Sequence, residues 1–319
     1  MKALIIGAAG FVGRHLIHHM HKTTDWQVYV TKIAHEPMIS GVDGVFDLNI
    51  LNPDEISQVL NDVRPDYIFH LAAQSSVALS WKKPALTVDI NVKGTVHVLD
   101  AIASLDYKPR VLLIGSGEEY GFIRPEELPI SEENPLRPGN IYAATKAAQN
   151  MIGRIYAQAY HMDILMVRAF NHIGPDQAPI FVVADFCKQV AEIEANLRPA
   201  VIKVGNLQAK RDFTDVRDVV RAYCLLMEKG ESAQIYNVGS GHAISIEELL
   251  NLILSLSSVK IEVMIDSERM RPSDIPIIEA DVSKLRQATQ WEAKIPLMQT
   301  LQQTLDYWRL KVAGTADHE

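Results

Sequence analysis

The stretch KALIIGAAGFVGRHLIHHM, residues 2–20, decides the fold. Residues 2–6 form a short apolar run of the kind that a strand buried inside a parallel sheet needs. Gly7, Gly10 and Gly13 follow, and an amphipathic stretch starts at Phe11. Strand, glycine turn and helix in this order make a phosphate cradle. Gly7 permits the tight turn, Gly10 lets backbone amides approach a pyrophosphate, and Gly13 lets the helix pack close to the strand. The helix N-terminus, with its unpaired N–H groups, faces the phosphates. Phe11, Val12 and Arg14 lie in that first turn and join the glycines as cofactor-binding candidates. The spacing is G-x-x-G-x-x-G, one residue wider at the front than the G-x-G-x-x-G form. Its place directly after a first strand gives it weight.

The second strand bears on which dinucleotide is held. It is expected over 27–31 (QVYVT) and ends in Thr31 and Lys32. The acidic residue that receives a free ribose 2′-hydroxyl is missing there. Two cations, Arg14 and Lys32, suit a 2′-phosphate. NADPH is the expected cofactor, with NADH the alternative.

Tyr142 and Lys146, in YAATK (142–146), stand four residues apart on a helix expected over 141–160. They therefore share a face. A free phenol, with a pKa of about 10, is a poor acid–base group at neutral pH. A neighbouring ammonium favours the phenolate and lowers that value. The same lysine can reach the nicotinamide ribose. Ser116, in IGSGEEYG (114–121), follows a strand expected over 110–114. A hydroxyl at a strand's C-terminal end can hydrogen-bond a substrate oxygen and polarise a carbonyl. Glu118 reads as a general base or a ligand to a sugar hydroxyl, with a solvated loop acid as the equally weighted alternative. Nucleophilic catalysis by Ser116 is not expected, because the elbow G-x-S-x-G is absent. A cofactor cradle and a proton donor together indicate a redox enzyme acting on a carbonyl or an alcohol.

Composition narrows the class. The chain has 319 residues and a net charge of −8, with no basic block, so nucleic acid is not an expected partner. Cys187 and Cys224 are unpatterned and read as buried thiols of a reducing cytoplasm. No apolar run reaches the ~18 residues of a membrane span, and the N-terminal apolar run is too short for a signal peptide. The 11 histidines show no ligand spacing, so no metal is expected.

Strand-like runs at 4–6, 28–30, 45–47, 67–71, 110–114 and 164–168 alternate with helical stretches at 11–21, 53–62, 84–104 and 141–160. This predicts an α/β fold, a Rossmann-type doubly wound parallel sheet. Asn52-Pro53 reads as the cap and first turn of a helix. Further strands are expected at 201–204, 235–238 and 260–264, and helices at 180–196, 216–229, 245–256 and 297–312. The domain reading is a cofactor domain over 1–170, to which 205–240 returns. A smaller interleaved α/β substrate lobe covers 171–204 and 241–312, and 313–319 form a flexible tail. The cleft lies where lobe and sheet meet.

These residues carry a resemblance. The chain resembles the extended short-chain dehydrogenases/reductases of the nucleotide-sugar type from end to end. It does so through GAAGFVG, HLAAQSSV (70–77), INVKGT (90–95), GSGEEYG, YAATK, RAFNHIGP (168–175), VGNLQAKRDFTDVRDVV (204–220), YNVGSG (236–241) and RPSDIP (271–276). The resemblance implies that Leu71, Ala72 and Ala73 line the nicotinamide end, that Asp47 and Leu48 sit by the adenine, and that Asn91 lies behind the site. It implies that Ser75, Asn171, Asn206, Arg211 and Arg271 bind substrate with Ser116 and Glu118, the arginines gripping a nucleotide diphosphate. Within the family, GAAGFVGRH and RDFTDVRDVVRAY are similar to the reductases that turn GDP-4-dehydro-6-deoxy-D-mannose into GDP-D-rhamnose. Glu118 is similar to an acid of the GDP-mannose 4,6-dehydratases. The short segment 32–44 lacks the paired-arginine loop of dehydratase tetramers, so the resemblance implies a GDP-sugar substrate and a homodimer.

Overall fold

The computed structural model describes residues 1–266 and 276–316, with side chains through residue 314. Strands β1 (Lys2–Ile6), β2 (Gln27–Lys32), β3 (Gly44–Asp47), β4 (Tyr67–His70), β5 (Arg110–Ser116) and β6 (Ile164–Ala169) build a parallel sheet. The chain then leaves through β7 (Asn171–Ile173), β8 (Val201–Val204) and β9 (Lys210–Asp215), and β10 (Ile235–Val238) returns to pair with β6. The sheet order is β10-β6-β5-β4-β1-β2-β3. The strand order therefore reverses between β1 and β4, and the crevice at their C-terminal ends is where doubly wound sheets bind ligands.

Successive residues of a strand point to opposite faces, and this chain uses both. Ala3, Ile5, Phe69, Leu112 and Val167 pack beneath α1 (Phe11–Thr23) and α8 (Val216–Lys229). Leu4, Ile6, Ile68, Leu113 and Met166 pack beneath α2 (Pro53–Val63), α5 (Gly94–Ala103) and α6 (Ile141–Ala159). Each aliphatic side chain buried in this way contributes about 1.5–3 kcal/mol. Asn52 caps α2 by accepting from Asp54 N at 3.1 Å, as its Asn-Pro start predicts.

The helix expected over 84–104 is three pieces. It consists of α4 (Pro84–Val88), a π-helical turn at Asp89–Lys93, and α5. Before it comes α3 (Val77–Lys82). The second lobe has its own core, where α7 (Val182–Glu194), α9 (Ile246–Ser255) and α11 (Leu297–Ala316) meet through Phe186, Val190, Leu249, Leu301 and Leu305. Its sheet has the order β11 (Ala243–Ser245), β9, β13 (Ile277–Ile278), with β7 also pairing β9. β12 (Glu262–Ile265) pairs β8 separately, and α10 (Ser283–Thr289) packs on α8. Two expected boundaries move. The return to the main sheet is made by α8 and β10, because β9 is the centre of the second sheet. The stretch from 313, expected to be a flexible tail, continues α11 as far as Ala316.

Candidate active site

The glycine loop has the backbone geometry of a cradle. Gly7 has φ +84°, and a Cβ there would lie 2.6 Å from the Ala72 Cα. A Cβ on Gly13 would lie 2.2 Å from the Ala8 carbonyl oxygen. A Cβ on Gly10 would meet nothing closer than the Gly7 oxygen at 4.0 Å. Gly10 is thus open on the side where a ligand would approach. No side chain caps the N-terminus of α1 and no acidic residue lies in its first turn, so its N–H groups are presented to an anion. Phe11 and Val12 are half-buried in that turn, on the α1 side of the main core. These features fit a dinucleotide pyrophosphate.

Both Lys32 and Arg14, the cations expected near a 2′-phosphate, carry carboxylate partners. The Lys32 side chain is only 7% exposed, and its Nζ donates to Asp47 Oδ1 at 2.6 Å. The end of β2 therefore does have a carboxylate at hand, supplied by β3. Leu48 is buried beside it and donates its N–H to Lys32 O at 2.8 Å. Arg14 is ion-paired with Asp176 and donates from Nη1 to Ala9 O at 2.9 Å.

Leu71, Ala72 and Ala73 leave β4 half-buried, with the Leu71 and Ala72 amides bonded to Ile6 O at 2.9 and 2.8 Å. They run directly beside Gly7. Asn91 is fully buried in the π-helical turn and ties this loop to α6. It accepts from Gln74 N at 2.8 Å and donates to Gln74 O and Thr145 Oγ1, each at 3.0 Å.

Ser116 ends β5, and its hydroxyl lies close enough to the Tyr142 phenol on α6 to hold down part of the rise in that phenol's pKa. Asn140 caps α6 by accepting from Ala143 N at 2.8 Å, and its Nδ2 donates to Glu118 Oε2 at 3.2 Å. Tyr142, Ser116 and Glu118 are thereby gathered at one point. Tyr142 keeps part of its surface open while its hydroxyl is deep. Lys146 Nζ donates to Ile114 O at 2.7 Å and Gln149 Oε1 at 3.0 Å.

The expectation that Lys146 lowers the Tyr142 pKa is corrected. Burial pushes the phenol well above its ordinary value, the Ser116 hydroxyl offsets part of this, and Glu118 and Glu119 push it further up. Burial likewise brings the Lys146 ammonium down to about 8, against the pull of Glu119. The phenol therefore holds its proton in the free protein.

The substrate candidates are more dispersed. Ser75 is exposed in the loop after β4, and Asn171 opens β7, half-buried. Asn206 is exposed and accepts from Gln208 N at 2.9 Å. Arg211 is 9% exposed in β9 and donates from Nη1 to Lys210 O at 2.8 Å. Arg271 lies outside the described residues. Three residues near the site escaped the sequence reading. Buried Asp212 accepts from Ser240 N at 2.7 Å and Gly241 N at 2.9 Å, so it pins that loop beside Arg211. His70, buried at the end of β4, is brought down to about 3 by burial and by Lys146, and stays neutral. Glu119 is buried behind Ser116. Among the described residues, no group of three or more His, Cys, Asp or Glu could hold a metal ion, and no helix is long and apolar enough to cross a membrane. A surface hollow lined by Met1, Asp66, Tyr107 and Arg110 lies at the opposite, N-terminal edge of the sheet and contains none of the site residues.

A family model described as GDP-mannose 4,6 dehydratase matches residues 4–304. A GDP-6-deoxy-D-mannose reductase from Pseudomonas aeruginosa is 33% identical over 312 residues, covering 98% of each chain. A UDP-glucose 4-epimerase from Mycolicibacterium smegmatis is 29% identical, covering 98% of this chain and 99% of its own. Among solved structures, RMD from Pseudomonas aeruginosa complexed with NADPH superposes with a TM-score of 0.87 at 32% identity, covering 98% of this chain and 100% of that one. The Thermus thermophilus UDP-glucose 4-epimerase complex with NAD gives 0.86 at 28% identity, covering 97% and 99%.

Proposed function

Because the chain belongs to the extended short-chain dehydrogenases/reductases of the nucleotide-sugar type, we propose that it reduces the 4-keto group of GDP-4-dehydro-6-deoxy-D-mannose to GDP-D-rhamnose. It is an NAD(P)H-dependent oxidoreductase. The observation that carries the substrate reading is the end-to-end likeness to the reductase from Pseudomonas aeruginosa, 33% over 98% of both chains. The solved relative in complex with NADPH supports that cofactor, with NADH as the alternative. Gly7, Gly10 and Gly13 would hold the pyrophosphate, Asp47 and Leu48 the adenine end, and Leu71 to Ala73 the nicotinamide end.

The chemistry that NADPH supplies when bound is donation of a hydride to C4. The chain's own residues handle the oxygen. Tyr142 gives its proton to the developing alkoxide, and Ser116 hydrogen-bonds the same oxygen. A phenol held protonated by burial and by two nearby carboxylates is in the right state to give that proton away. Lys146, on the phenol's own helix and reaching the Ile114 carbonyl of β5, balances the charge left on Tyr142. Asn206, Arg211 and Arg271 anchor the diphosphate, and that remote binding holds the ketone in place.

The decisive assay mixes the protein with GDP-4-dehydro-6-deoxy-D-mannose and NADPH. One reduced nicotinamide should be oxidised per sugar, with GDP-D-rhamnose as product. GDP-mannose alone should not react. Release of the 4-keto sugar from GDP-mannose without net use of cofactor would establish the dehydratase reading instead, which the place of Glu118 beside Tyr142 and Ser116 favours.

The expected homodimer has a surface to use. Met151 and Ile155, one turn apart on α6, are 60% and 58% exposed, and Leu86, Val88 and Trp81 are exposed on the adjoining α4 and α3. A patch of this kind marks an interaction face, and a second copy laid on it would bury the two apolar surfaces against each other.

A further inference from the structure

Ser116, Tyr142 and Lys146 act directly in the proposed reaction; Glu119, the carboxylate buried behind them, is placed to touch neither substrate nor cofactor. Glu119 is 0% exposed. Its Oε1 accepts from Ser116 N and from Asn150 Nδ2, both at 2.8 Å. Its Oε2 accepts from Asn150 Nδ2 and from Arg168 Nε, both at 3.0 Å. Every partner is a donor, so a proton on either oxygen would find no acceptor. Burial pushes the Glu119 carboxyl above its ordinary value, and Arg168, its counter-ion, together with the bonds from Ser116 N and Asn150 pulls it back towards the carboxylate. Arg168 is fixed in turn, since its Nη1 donates to Tyr120 Oη at 2.9 Å and Tyr120 donates to Asn237 Oδ1 at 2.6 Å.

The elements that Glu119 joins are the ones that must stay in register. Ser116 sits on the end of β5. Asn150 sits on α6, on the same face as Tyr142 and Lys146, at successive four-residue steps. One carboxylate thus ties the strand end bearing Ser116 to the helix bearing the phenol, through Ser116 N on one side and Asn150 on the other. A misplacement of about 1 Å between reacting groups costs about 100-fold in rate. Building on the reading of Ser116 and Tyr142 as the pair that meets the substrate oxygen, we propose that Glu119 is the positioning residue that sets the Ser116–Tyr142 geometry, acting through Asn150. Its charge has a second effect. Tyr142 is faced by Ser116, Glu118 and Glu119 from the β5 side and by Tyr223 from α8, and Lys146 by His70 from β4 and by Glu119. Glu119 raises the pKa of both Tyr142 and Lys146.

The test uses Asn150→Ala and Glu119→Gln in the full chain. Asn150→Ala leaves the Glu119–Arg168 pair and the Ser116 contact in place and cuts only the tie to α6. It should lower kcat by about 10-fold or more, with KM for the sugar nucleotide and Kd for NADPH within about threefold of wild type. Glu119→Gln should lower kcat too, and should move the alkaline limb of kcat/KM to lower pH. An unchanged kcat in Asn150→Ala, or a KM that rises in step with the fall in kcat, overturns the proposal. If Glu119→Gln does not fold, Asn150→Ala decides alone. Wild-type protein that fails to turn over the 4-keto sugar counts against the proposed function and not against this tie. The 13Cζ resonance of Tyr142, assigned by its loss in Tyr142→Phe, then decides. A different chemical shift in Asn150→Ala supports the tie, and coincident resonances overturn it.

Discussion

Tyr142 carries its proton because burial and two carboxylates outweigh the Ser116 hydroxyl. Removing the hydroxyl should therefore remove the donor and little else. Tyr142→Phe is expected to lower kcat about 100-fold or more, within the range for a positioned general acid, while NADPH still binds in a fluorescence titration. A variant with wild-type turnover would rule out the donor role. Lys146 adds a pH dependence. Its pKa is brought down to about 8 by burial, so its charge is present below that pH and lost above it. The kcat/KM of wild type should fall as pH rises through about 8, and a profile flat across that region would contradict this. Tyr142 and Lys146 were legible in the sequence because four residues on a helix fix their relation locally. Glu119 was not. Its meaning depends on Asn150 and Arg168, 31 and 49 residues away, and a glutamate followed by partners that distant looks like any loop acid. The direction of the Tyr142 shift was misread for the same reason: spacing shows that Lys146 is near, and only packing shows how deep the hydroxyl lies.

The β1–α1 turn separates two kinds of glycine. A side chain on Gly13 would run into the Ala8 backbone, at 2.2 Å, whereas one on Gly10 has open space to 4.0 Å. Gly13→Ala should lower the Tm of the free protein by several degrees, about 4 °C or less per kcal/mol lost in a chain of this size. Gly10→Ala should leave that Tm unchanged and weaken NADPH binding by about 10-fold or more, since the added methyl would point where the phosphates come. Equal effects of the two on Tm would refute the distinction. This element is readable in the amino-acid order itself, because strand, glycines and helix directly follow one another along the chain. In the second lobe β8 and β12 were legible as the strands expected at 201–204 and 260–264, but β7, β9, β11 and β13 were not. β7, β11 and β13 have three, three and two residues, too few for a periodicity to show, and they exist because β9 lends them hydrogen-bonding partners. The helix over 84–104 was legible as a helix, but its π-helical turn was not, since the turn answers to Asn91 reaching Gln74 and Thr145.

At the scale of the whole molecule, the apolar face of α6 sits on the same helix as Tyr142. Replacing Met151 and Ile155 together by Glu should turn a dimer into a monomer in analytical ultracentrifugation, because paired charges would then have to be buried. An unchanged sedimentation coefficient would exclude this face. The alternation of strands and helices made the main sheet readable, since each βα unit is local. The closing of that sheet by β10 was placed correctly along the chain, but the path between β6 and β10 runs through β7, β8 and β9 of the other lobe. That detour has a consequence for how the protein can be cut or built. A fragment ending anywhere before Ile235 leaves β6 as an open edge, with a row of bare backbone groups that invites pairing with other chains. During synthesis the main sheet must wait, unsealed, until β7, β8 and β9 of the other lobe have emerged, and the rest of that lobe follows β10, so the two lobes are interleaved along the chain and neither is a detachable module.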